Sequence, residues 1–538
     1  MSKQVIIYDT TLRDGTQAEN FNLSVADKVR ISLKLDEMGI DFIEGGWPGS
    51  NPSAVEFFKE IQNYDLKHAR LTAFGSTRNF SNPADQDPNL RALVAARTPG
   101  ITIFGKTWDV HVRDALRIEL EDNLAIIVES LRYLRPHAGY LFYDAEHFFD
   151  GFKQNREYAL ATLDKAVEGG AECLVLCDTN GGTLPHEIPA IMEAVQAHFV
   201  KAGKEIPLGI HAHNDSETAV GNSLMAISMG AVHVQGTING FGERCGNANL
   251  TSIIPALALK TGFECHAAGK LEKLSETARF VNELANLPHN KYQPYVGRAA
   301  FAHKGGIHVH AVQRNPLTYE HIEPEKVGNV RRILISDQSG KSNVLHKAKK
   351  FGLNIDSKDP VVGAIVRELK ELESRGFQYE GAEASFELLM RRAMGTQRHY
   401  FELKGFRVIS LKTSMDAPMQ DEATIRIEVG EEGEVHTAAL GNGPVNAMDK
   451  ALRKALTHFY PNLMEMELVD YKVRVLSGEH GTGAKVRVLI QSRDQESEWG
   501  TVGVSFDIIE ASWQALVDSI TYKLMKDEKK DKSAPAAG

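Results

Sequence analysis

The stretch Val5–Gly15, VIIYDTTLRDG, joins a short apolar run to a charged turn. The run Val5–Tyr8 has the length and composition of a buried strand, and the turn after it carries acids, an arginine and a glycine. Arginine is a permanent cation, and an aspartate beside it stays ionised and can bind a hard metal. An arginine next to an aspartate, such as Arg13 and Asp14, more often forms an ordinary ion pair than part of an active site. A second polar cluster at 211–215 favours an active site here.

Apolar runs of strand length recur through the first 270 residues, and stretches with helical periodicity separate them. Alternating strands and helices indicate βαβ units and a parallel sheet. Eight strands in this length predict an α/β fold of the (β/α)8 TIM-barrel type. A doubly wound open sheet is the competing fold, but no glycine-rich phosphate fingerprint follows the first strand. The strand candidates are Val5–Tyr8, Phe42–Gly45, Leu71–Phe74, Ile101–Phe104, Tyr140–Tyr143, Cys173–Cys177, Leu208–Ile210 and His233–Gly236.

Polar residues follow nearly every one of these strand candidates. Active sites of such barrels lie at the carboxyl ends of the strands, so the barrel prediction brings these residues together. Few of these residue types would be expected there if the strand ends were only structural. The residues are Asp9, Arg13, Asp14, Glu44, Lys106, Asp144, Glu146, Asp178, Thr179, His211, His213, Thr237 and Asn239.

The pair His211 and His213 is the most specific signal in the chain. Residues i and i+2 of a strand face the same side, so both imidazoles can bind one divalent metal. Asp14 comes from the first strand, which adjoins the last strands of a closed barrel, and it can complete the set. Nitrogen and oxygen ligands with open positions suit Mn²⁺, Mg²⁺, Fe²⁺ or Zn²⁺. Two hydrogen-bonded histidines in an interior polar layer are the alternative.

Three motifs together resemble the family of 2-isopropylmalate, homocitrate and citramalate synthases. They are Arg13-Asp14-Gly15, His211–Asp215 and Gly240–Asn247, in that order over about 240 residues. The resemblance implies a metal-dependent barrel that condenses acetyl-CoA with a 2-oxo acid. It continues in Phe301–His310, which is similar to the family's linker into the partner subunit's active site, and in Tyr319–Glu325.

The resemblance also implies roles for individual residues. Arg13 would stabilise the oxygen that gains negative charge. Glu146 or His308 would remove a methyl proton from acetyl-CoA, and the sequence does not divide this work between them. The metal, Mn²⁺ or Mg²⁺ ahead of Zn²⁺ or Fe²⁺, would be held by Asp14, His211, His213 and Asn247. The substrate pocket would be lined by Arg13, Tyr143, Asp144, Thr179, His310 and Tyr319.

Local departures from the isopropylmalate synthase pattern resemble the long citramalate synthase branch, which takes pyruvate. After Gly15 the chain reads TQAENF where those enzymes usually read EQSPG. Trp47, Phe148 and Phe149 would then narrow the pocket to a methyl-sized side chain. The alternatives are 2-isopropylmalate synthase, homocitrate synthase and a retro-aldol lyase, although the Gly-Cys-Pro loop typical of such lyases is absent. A biotin-dependent carboxyltransferase would need a Met-Lys-Met site, which is also absent, and a non-enzymatic amino-acid sensor would leave the polar strand ends unexplained.

The sequence divides into four segments: a barrel at 1–270, helical linker subdomains at 271–395, a repeated α+β domain at 396–526 and a disordered tail at 527–538. The repeated domain contains two βββα units. By resemblance it is the regulatory domain that supports a homodimer and binds an end-product amino acid, isoleucine on the pyruvate branch. A dimerisation domain without an effector is the alternative.

Composition limits the partners. The formal net charge of −10 argues against nucleic acid or an anionic membrane. No run of eighteen apolar residues and no signal-peptide pattern is present, so we expect no membrane contact and a cytoplasmic location. The four cysteines, Cys173, Cys177, Cys245 and Cys265, fit no zinc pattern and predict reduced thiols.

Overall fold

The computed structural model describes residues 4–430, 433–476 and 483–533, except for the side chains of 531–533. The chain forms two compact units. The first comprises 1–301 with 321–331, and the second comprises 302–320 with 332–538.

Eight parallel strands close a barrel in chain order in the first unit, which confirms the predicted TIM-barrel fold. The barrel closes where β1 pairs with β8 and Tyr8 lies opposite Gln235. The strands are β1 Ile6–Asp9, β2 Phe42–Gly46, β3 Arg70–Ser76, β4 Gly100–Lys106, β5 Tyr140–Glu146, β6 Cys173–Asp178, β7 Leu208–Ala212 and β8 His233–Gly236.

Most of the strands run further than the sequence predicts, among them β4, β5 and β6. Lys106 ends β4, Glu146 ends β5 and Asp178 ends β6, so these side chains belong to strands and not to the loops after them. The β4–β5 ladder explains the extension, because it continues to a pair between Lys106 and Glu146. Alternation along each strand therefore decides which way these side chains point.

Helices cover the outside of the barrel. Ser24 caps the first helix through a capping box with Asp27. The helix ends at Met38 and is capped by Gly39, whose φ of 82° lies in the left-handed region. The helices are α1 Val25–Met38, α2 Pro52–Glu60, α3 Pro88–Ala95, α4 Leu120–Leu134, α5 Phe148–Gln154, α6 Arg156–Gly169, α7 Ile188–Lys201, α8 Ala219–Ser228, α9 Leu250–Lys260 and α10 Leu274–Leu284.

Side chains fill the barrel in layers. On β6, Leu174 and Leu176 pack against the helices, whereas Val175 and Cys177 point into the barrel. Most interior residues near the amino ends of the strands are apolar and form a compact cluster, in which the buried His233 ring packs against Tyr8 and Phe142. Polar residues begin above this cluster, toward the carboxyl ends of the strands, which we call the mouth of the barrel.

The second unit begins with helical segments and ends in the predicted repeat of two βββα motifs, each with a three-stranded antiparallel sheet. Its helical part contains α11 Gly306–Arg314, α12 Lys341–Lys350, α13 Pro360–Ser374 and α14 Glu383–Ala393, with the short strands β9 Ala302–His303 and β10 Arg332–Ile333. The first motif is β11 Glu402–Leu411, β12 Gln420–Glu428, β13 Glu434–Gly441 and α15 Pro444–Leu456. The second is β14 Glu467–Val475, β15 Val486–Arg493, β16 Glu498–Ser505 and α16 Ile508–Ser533.

The last helix differs from the sequence prediction of a tail without structure from residue 527. It continues to Ser533. Tyr400 and Arg398 bind Glu528, which ties the helix to the start of β11. These contacts explain why the charged segment stays helical. Residues 534–538 lie outside the described residues. Within the described part of the chain, no helix has the length and apolar character needed to cross a membrane.

Candidate active site

An interior polar layer supports the mouth of the barrel. The Tyr8 hydroxyl donates to Glu44 Oε1 at 2.7 Å and accepts from the hydroxyls of Thr72 and Thr102 at 2.8 and 2.7 Å. These residues come from four consecutive strands, β1 to β4, and all four are fully buried. Their hydrogen bonds satisfy the phenol completely and fix Glu44 below the mouth.

Arg13 is held on top of this layer. Its Nε donates to Glu44 Oε2 at 2.5 Å, and its guanidinium carbon lies 3.7 Å from the centre of the Phe74 ring. Burial opposes the charge of Arg13, but Glu44 and Asp14 outweigh it and raise the pKa of the guanidinium. Arg13 is thus a rigid, permanent cation at the mouth.

Asp14, His211 and His213 form a compact cluster, which we call the mouth triad. Asp14 Oδ2 lies 3.2 Å from His211 Nε2 and 3.8 Å from His213 Nε2, and the two Nε2 atoms are 3.3 Å apart. All three residues are buried, with exposures of 2 to 5%. Metal–ligand bonds of roughly 2.0–2.2 Å at right angles separate neighbouring ligand atoms by about 3 Å. The spacing therefore suits one divalent metal.

A hydrogen-bonded chain orients the triad. Gln235 Nε2 donates to Asp144 Oδ1 at 2.9 Å, so its amide oxygen is left to accept from His211 Nδ1 at 2.8 Å. This bond places the Nδ1 hydrogen away from the triad and directs Nε2 of His211 toward Asp14. A partner of this kind fixes the tautomer and the ring plane of a metal-binding histidine.

Electrostatics also favour a cation inside the mouth triad. Burial opposes protonation of His211, but Asp14 outweighs it and raises the pKa of that imidazole. Burial and the neighbouring His211 lower the pKa of His213 to about 3. Burial opposes ionisation of Asp14, but Arg13 and the histidines lower its pKa well below the usual range. The carboxylate is therefore ionised and draws positive charge to the point where a metal would lie.

Asn247 lies beside the triad with a free acceptor. Its Nδ2 donates to Asp14 Oδ2 at 2.9 Å, whereas its buried Oδ1 has no hydrogen-bond partner in the described part of the chain. The loop geometry requires glycine nearby: Gly246 has a φ of 89°, and a Cβ there would lie 2.0 Å from the Gly240 carbonyl oxygen. An amide oxygen without a partner is a suitable further ligand for a hard divalent metal.

Three more predicted residues lie at the mouth. Asp144 follows Phe142 on the inner face of β5, and burial together with Glu44 raises its pKa to about 7. Glu146, two residues later on the same face, forms an ion pair with Lys106. The Thr179 hydroxyl accepts from the backbone N–H of His147 at 2.9 Å.

Tyr143 does not line this pocket, so that prediction is wrong. Neighbouring strand residues face opposite sides, and Asp144 and Glu146 point inward. Tyr143 therefore points to the helices, where it is fully buried in the outer core and a Cβ on Gly105 would lie 2.6 Å from its hydroxyl. Phe148 and Phe149 belong to the same core and do not narrow the mouth.

The remaining predicted residues belong to the second unit. His308 and His310 are exposed on α11, and Tyr319 is 47% exposed. The His308 and Tyr319 rings stack with centroids 4.2 Å apart, and His310 Nδ1 lies 3.2 Å from the Ser342 hydroxyl. Within this unit, the structure thus pairs His308 with Tyr319.

Sequence reasoning named Trp47 as a pocket residue but missed Phe74 and Phe104, which form an aromatic wall with it, and it missed Gln235. Trp47, Phe74 and Phe104 form the wall, with ring centroids 5.5 to 5.9 Å apart. The signal was available, because Phe74 and Phe104 lie two residues after Thr72 and Thr102 on the same strand faces. By the same alternation, Gln235 lies two residues after His233 and on the same face of β8.

Comparison with known proteins covers nearly the whole chain. Residues 4–281 match the HMGL-like family model, 295–376 the homocitrate synthase post-HMGL domain-like model and 380–524 the LeuA allosteric (dimerisation) domain. An (R)-citramalate synthase of Geobacter sulfurreducens is 59% identical over 97% of this chain and 98% of its own. One of Aquifex aeolicus is 55% identical over 98% and 99%. A probable 2-isopropylmalate synthase of Methanopyrus kandleri is 32% identical over 97% and 98%.

Proposed function

The chain belongs to the family of the (R)-citramalate synthases, and we infer from this that it condenses acetyl-CoA with pyruvate and water to give (R)-citramalate and CoA. It is thus an acyltransferase, and its reaction is the first step of a pyruvate route to isoleucine. The observation that carries the reaction type is the buried mouth triad beside Arg13. It joins a metal-ligand set to a fixed cation in one cleft.

The buried Asp/His triad is consistent with a divalent metal site of the HMGL-like family. We propose that Asp14, His211 and His213 hold the metal and that Asn247 turns its unpartnered oxygen toward it. Mn²⁺ or Mg²⁺ is the expected ion, ahead of Zn²⁺ or Fe²⁺. A metal bound there would orient the 2-oxo acid and polarise its ketone.

The protein side chains stabilise the developing negative charge and transfer the protons. Arg13 is positioned to stabilise negative charge on the former ketone oxygen, because Glu44 and Phe74 hold its guanidinium still. Glu146 or His308 removes a proton from the acetyl methyl group, and the resulting carbanion carbon attacks the ketone carbon, whose oxygen becomes an alkoxide and then takes up a proton. Water then cleaves the thioester and releases CoA. Asp144 and Thr179 would contact the 2-oxo acid.

The aromatic wall supports pyruvate as the 2-oxo acid. Phe74 lies directly under the Arg13 guanidinium, so the wall bounds the space beside that cation. Phe104 and Trp47 continue it, and Trp47 is fixed by a 2.7 Å hydrogen bond to Asn89. Rigid rings there favour a methyl over a branched or acidic side chain. Each added methylene would cost about 1–3 kcal/mol.

The LeuA domain supports a homodimer with feedback regulation. We propose isoleucine as the effector and a second copy of this chain as the partner. A cavity of about 760 Å³ lies between α15 and β14. Asp449, Arg453 and Glu467 supply charge there, next to apolar side chains such as Leu463 and Met466. Charged and branched apolar surfaces side by side suit a zwitterion with an aliphatic side chain.

The test is CoA release by the full-length chain with acetyl-CoA, Mn²⁺ and one 2-oxo acid at a time. We expect turnover with pyruvate, a much lower rate with 2-oxoisovalerate or 2-oxoglutarate, and loss of turnover with a chelator. The variant Phe104→Ala should lower the ratio of kcat/KM for pyruvate to kcat/KM for 2-oxoisovalerate about tenfold.

The outcomes separate the alternatives. Preference for 2-oxoisovalerate in the unaltered protein would make the chain a 2-isopropylmalate synthase, and preference for 2-oxoglutarate a homocitrate synthase. No CoA release with any acid would overturn the synthase proposal in favour of a retro-aldol lyase.

A further inference from the structure

A second cluster of one aspartate and two histidines lies at the other end of the barrel. Asp41 directly precedes β2, His68 lies two residues before the start of β3, and His266 begins a short helical segment, His266–Lys273, after α9. The amino ends of the strands therefore carry these residues, opposite the mouth. We call Asp41, His68 and His266 the amino-end cluster. No step of the proposed condensation uses it.

The ligand atoms of the amino-end cluster converge on one carboxylate oxygen. Asp41 Oδ1 lies 3.1 Å from His68 Nε2 and 2.6 Å from His266 Nδ1. All three ligand atoms lie within 4.8 Å of one another, and the two rings pack edge to face with centroids 4.6 Å apart. Small movements of the two side chains bring all three atoms into the range of one metal.

The backbone fixes the buried member of the cluster. Asp41 is 4% exposed, and its other oxygen, Oδ2, accepts from the Ile7 backbone N–H at 2.9 Å. This bond directs Oδ1 outward to the histidines. The His266 segment is held as well, because the Val5 N–H donates to the Glu264 carbonyl at 2.8 Å and Gly39 allows the chain to pass closely.

The histidine side of the cluster is open. The side chains of His68 and His266 are 30% and 57% exposed, so an ion can enter from solvent and keep water in its remaining positions. Two imidazoles and one carboxylate form a ligand set that suits Zn²⁺ and Co²⁺ better than Mg²⁺ or Ca²⁺.

We propose that Asp41, His68 and His266 form a second divalent-metal site, taking Zn²⁺ or a similar ion, at the amino end of the barrel. The ion would connect the start of β2, the start of β3 and the segment after α9. These parts are adjacent only in the folded chain, so binding stabilises the fold by mass action. The site thus acts on stability, apart from the reaction at the mouth.

The test isolates this site by removing the other one. The full-length chain with Asp14→Asn and His213→Ala is freed of metal and titrated with Co²⁺ and with Zn²⁺, by visible absorption and by calorimetry. We expect one ion per chain and a melting temperature that rises by a few degrees with Zn²⁺. Adding His68→Gln and His266→Gln should abolish both effects, whereas adding His137→Gln, at an exposed histidine outside both clusters, should abolish neither.

Two results would overturn the proposal. One is the absence of bound ion in the mouth variant at micromolar metal. The other is binding that persists after both histidines are replaced, since the ion would then lie elsewhere. If the combined variant does not fold by circular dichroism, His266→Gln alone in the otherwise unaltered chain decides the matter. It changes the more exposed ligand, and it should reduce two bound Zn²⁺ per chain to one.

Discussion

The two ends of the barrel carry the same three side chains in different surroundings. At the mouth, Asp14, His211 and His213 are all buried, and both histidines come from the end of one strand. At the amino end only Asp41 is buried, and the histidines come from two segments far apart in the chain. The difference teaches that ligand type alone does not make a catalytic site.

Neighbouring groups make the distinction. The mouth triad has Arg13 within 3.6 Å of Asp14, an oriented partner for His211 in Gln235 and an unpartnered amide oxygen in Asn247. The amino-end cluster has a backbone N–H behind its carboxylate, and no cation among the described residues pairs with Asp41 apart from its histidines. The first can hold a substrate anion as well as a metal, and the second can hold only the metal.

Replacing one histidine at each end should give the largest contrast. His213→Gln removes a proposed ligand of the metal that would polarise the ketone, so we expect CoA release to fall by about three orders of magnitude. His266→Gln should lower the melting temperature in Zn²⁺ and leave turnover within about twofold. Steady-state rates with pyruvate and Mn²⁺ measure the first effect, and thermal unfolding measures the second. If His213→Gln and His266→Gln lowered turnover equally, the distinction between a catalytic mouth triad and a stabilising amino-end cluster would be wrong.

Sequence reasoning reached the mouth triad because its pattern is local. Histidines two residues apart on a strand must share a face, and barrel closure brings β1 to β7 and β8. The amino-end cluster has no such pattern, because His68 and His266 lie almost 200 residues apart in the chain. Tyr143 was misplaced for a related reason. The resemblance pointed to the right part of β5, but strand alternation turns Asp144 and Glu146 toward the pocket and Tyr143 away from it.

The eight strands and both βββα units were predictable because their apolar periodicity is strong. The ends of β4, β5 and β6 were not, since pairing with the neighbouring strand lengthens them. Gln235 was missed because an uncharged amide carries no signal until its two partners are known. Its importance comes from contacts with His211 and Asp144, which lie 24 and 91 residues away.

Breaking that amide contact should give the next largest effect. Gln235→Leu leaves His211 Nδ1 and Asp144 without their partner, so the imidazole can turn and change tautomer. We expect a loss of 10- to 100-fold in Mn²⁺ affinity or activity, about the usual size for the partner of a metal-binding histidine. The measurement is the Mn²⁺ dependence of kcat/KM.

A matched control lies in the same interior. Thr102→Val removes one hydrogen bond to Tyr8 and touches no member of the triad. It should lower stability while the Mn²⁺ dependence stays unchanged. If Thr102→Val weakened Mn²⁺ as much as Gln235→Leu does, general loosening of the barrel would explain both variants and the orienting role of Gln235 would be wrong.

The smallest expected effect concerns a charge in the barrel wall near the mouth. Lys28 on α1 is 6% exposed, and its Nζ lies 3.9 Å from the position of a Cβ on Gly46. Among the residues that the structure describes, none forms a hydrogen bond or ion pair with that ammonium. Burial lowers the pKa of Lys28 to about 8. Unlike Arg13, this cation has no carboxylate to offset its burial.

The pH dependence of stability follows from that shift. Below about pH 8 Lys28 is protonated in both states, so the folded state carries the full cost of the buried charge. As the pH rises from 8 toward 10.5, the folded state releases its proton before the unfolded state does, and the cost disappears. Lys28→Met should therefore stabilise the protein by about 1–3 kcal/mol at pH 7 and by much less at pH 10. Urea midpoints at both pH values measure the difference.

The same helix supplies the opposite case. Lys34 binds Glu37 and Glu276, which outweigh its burial and raise its pKa, so its contribution is present at pH 7 and is lost at high pH. Relative to the unaltered chain, Lys34→Met should lose stability at pH 7, and Lys28→Met should gain it. Should both variants shift the midpoint in the same direction, helix propensity or side-chain packing would account for the changes. The contrast between offset and uncompensated charges on α1 would then fail.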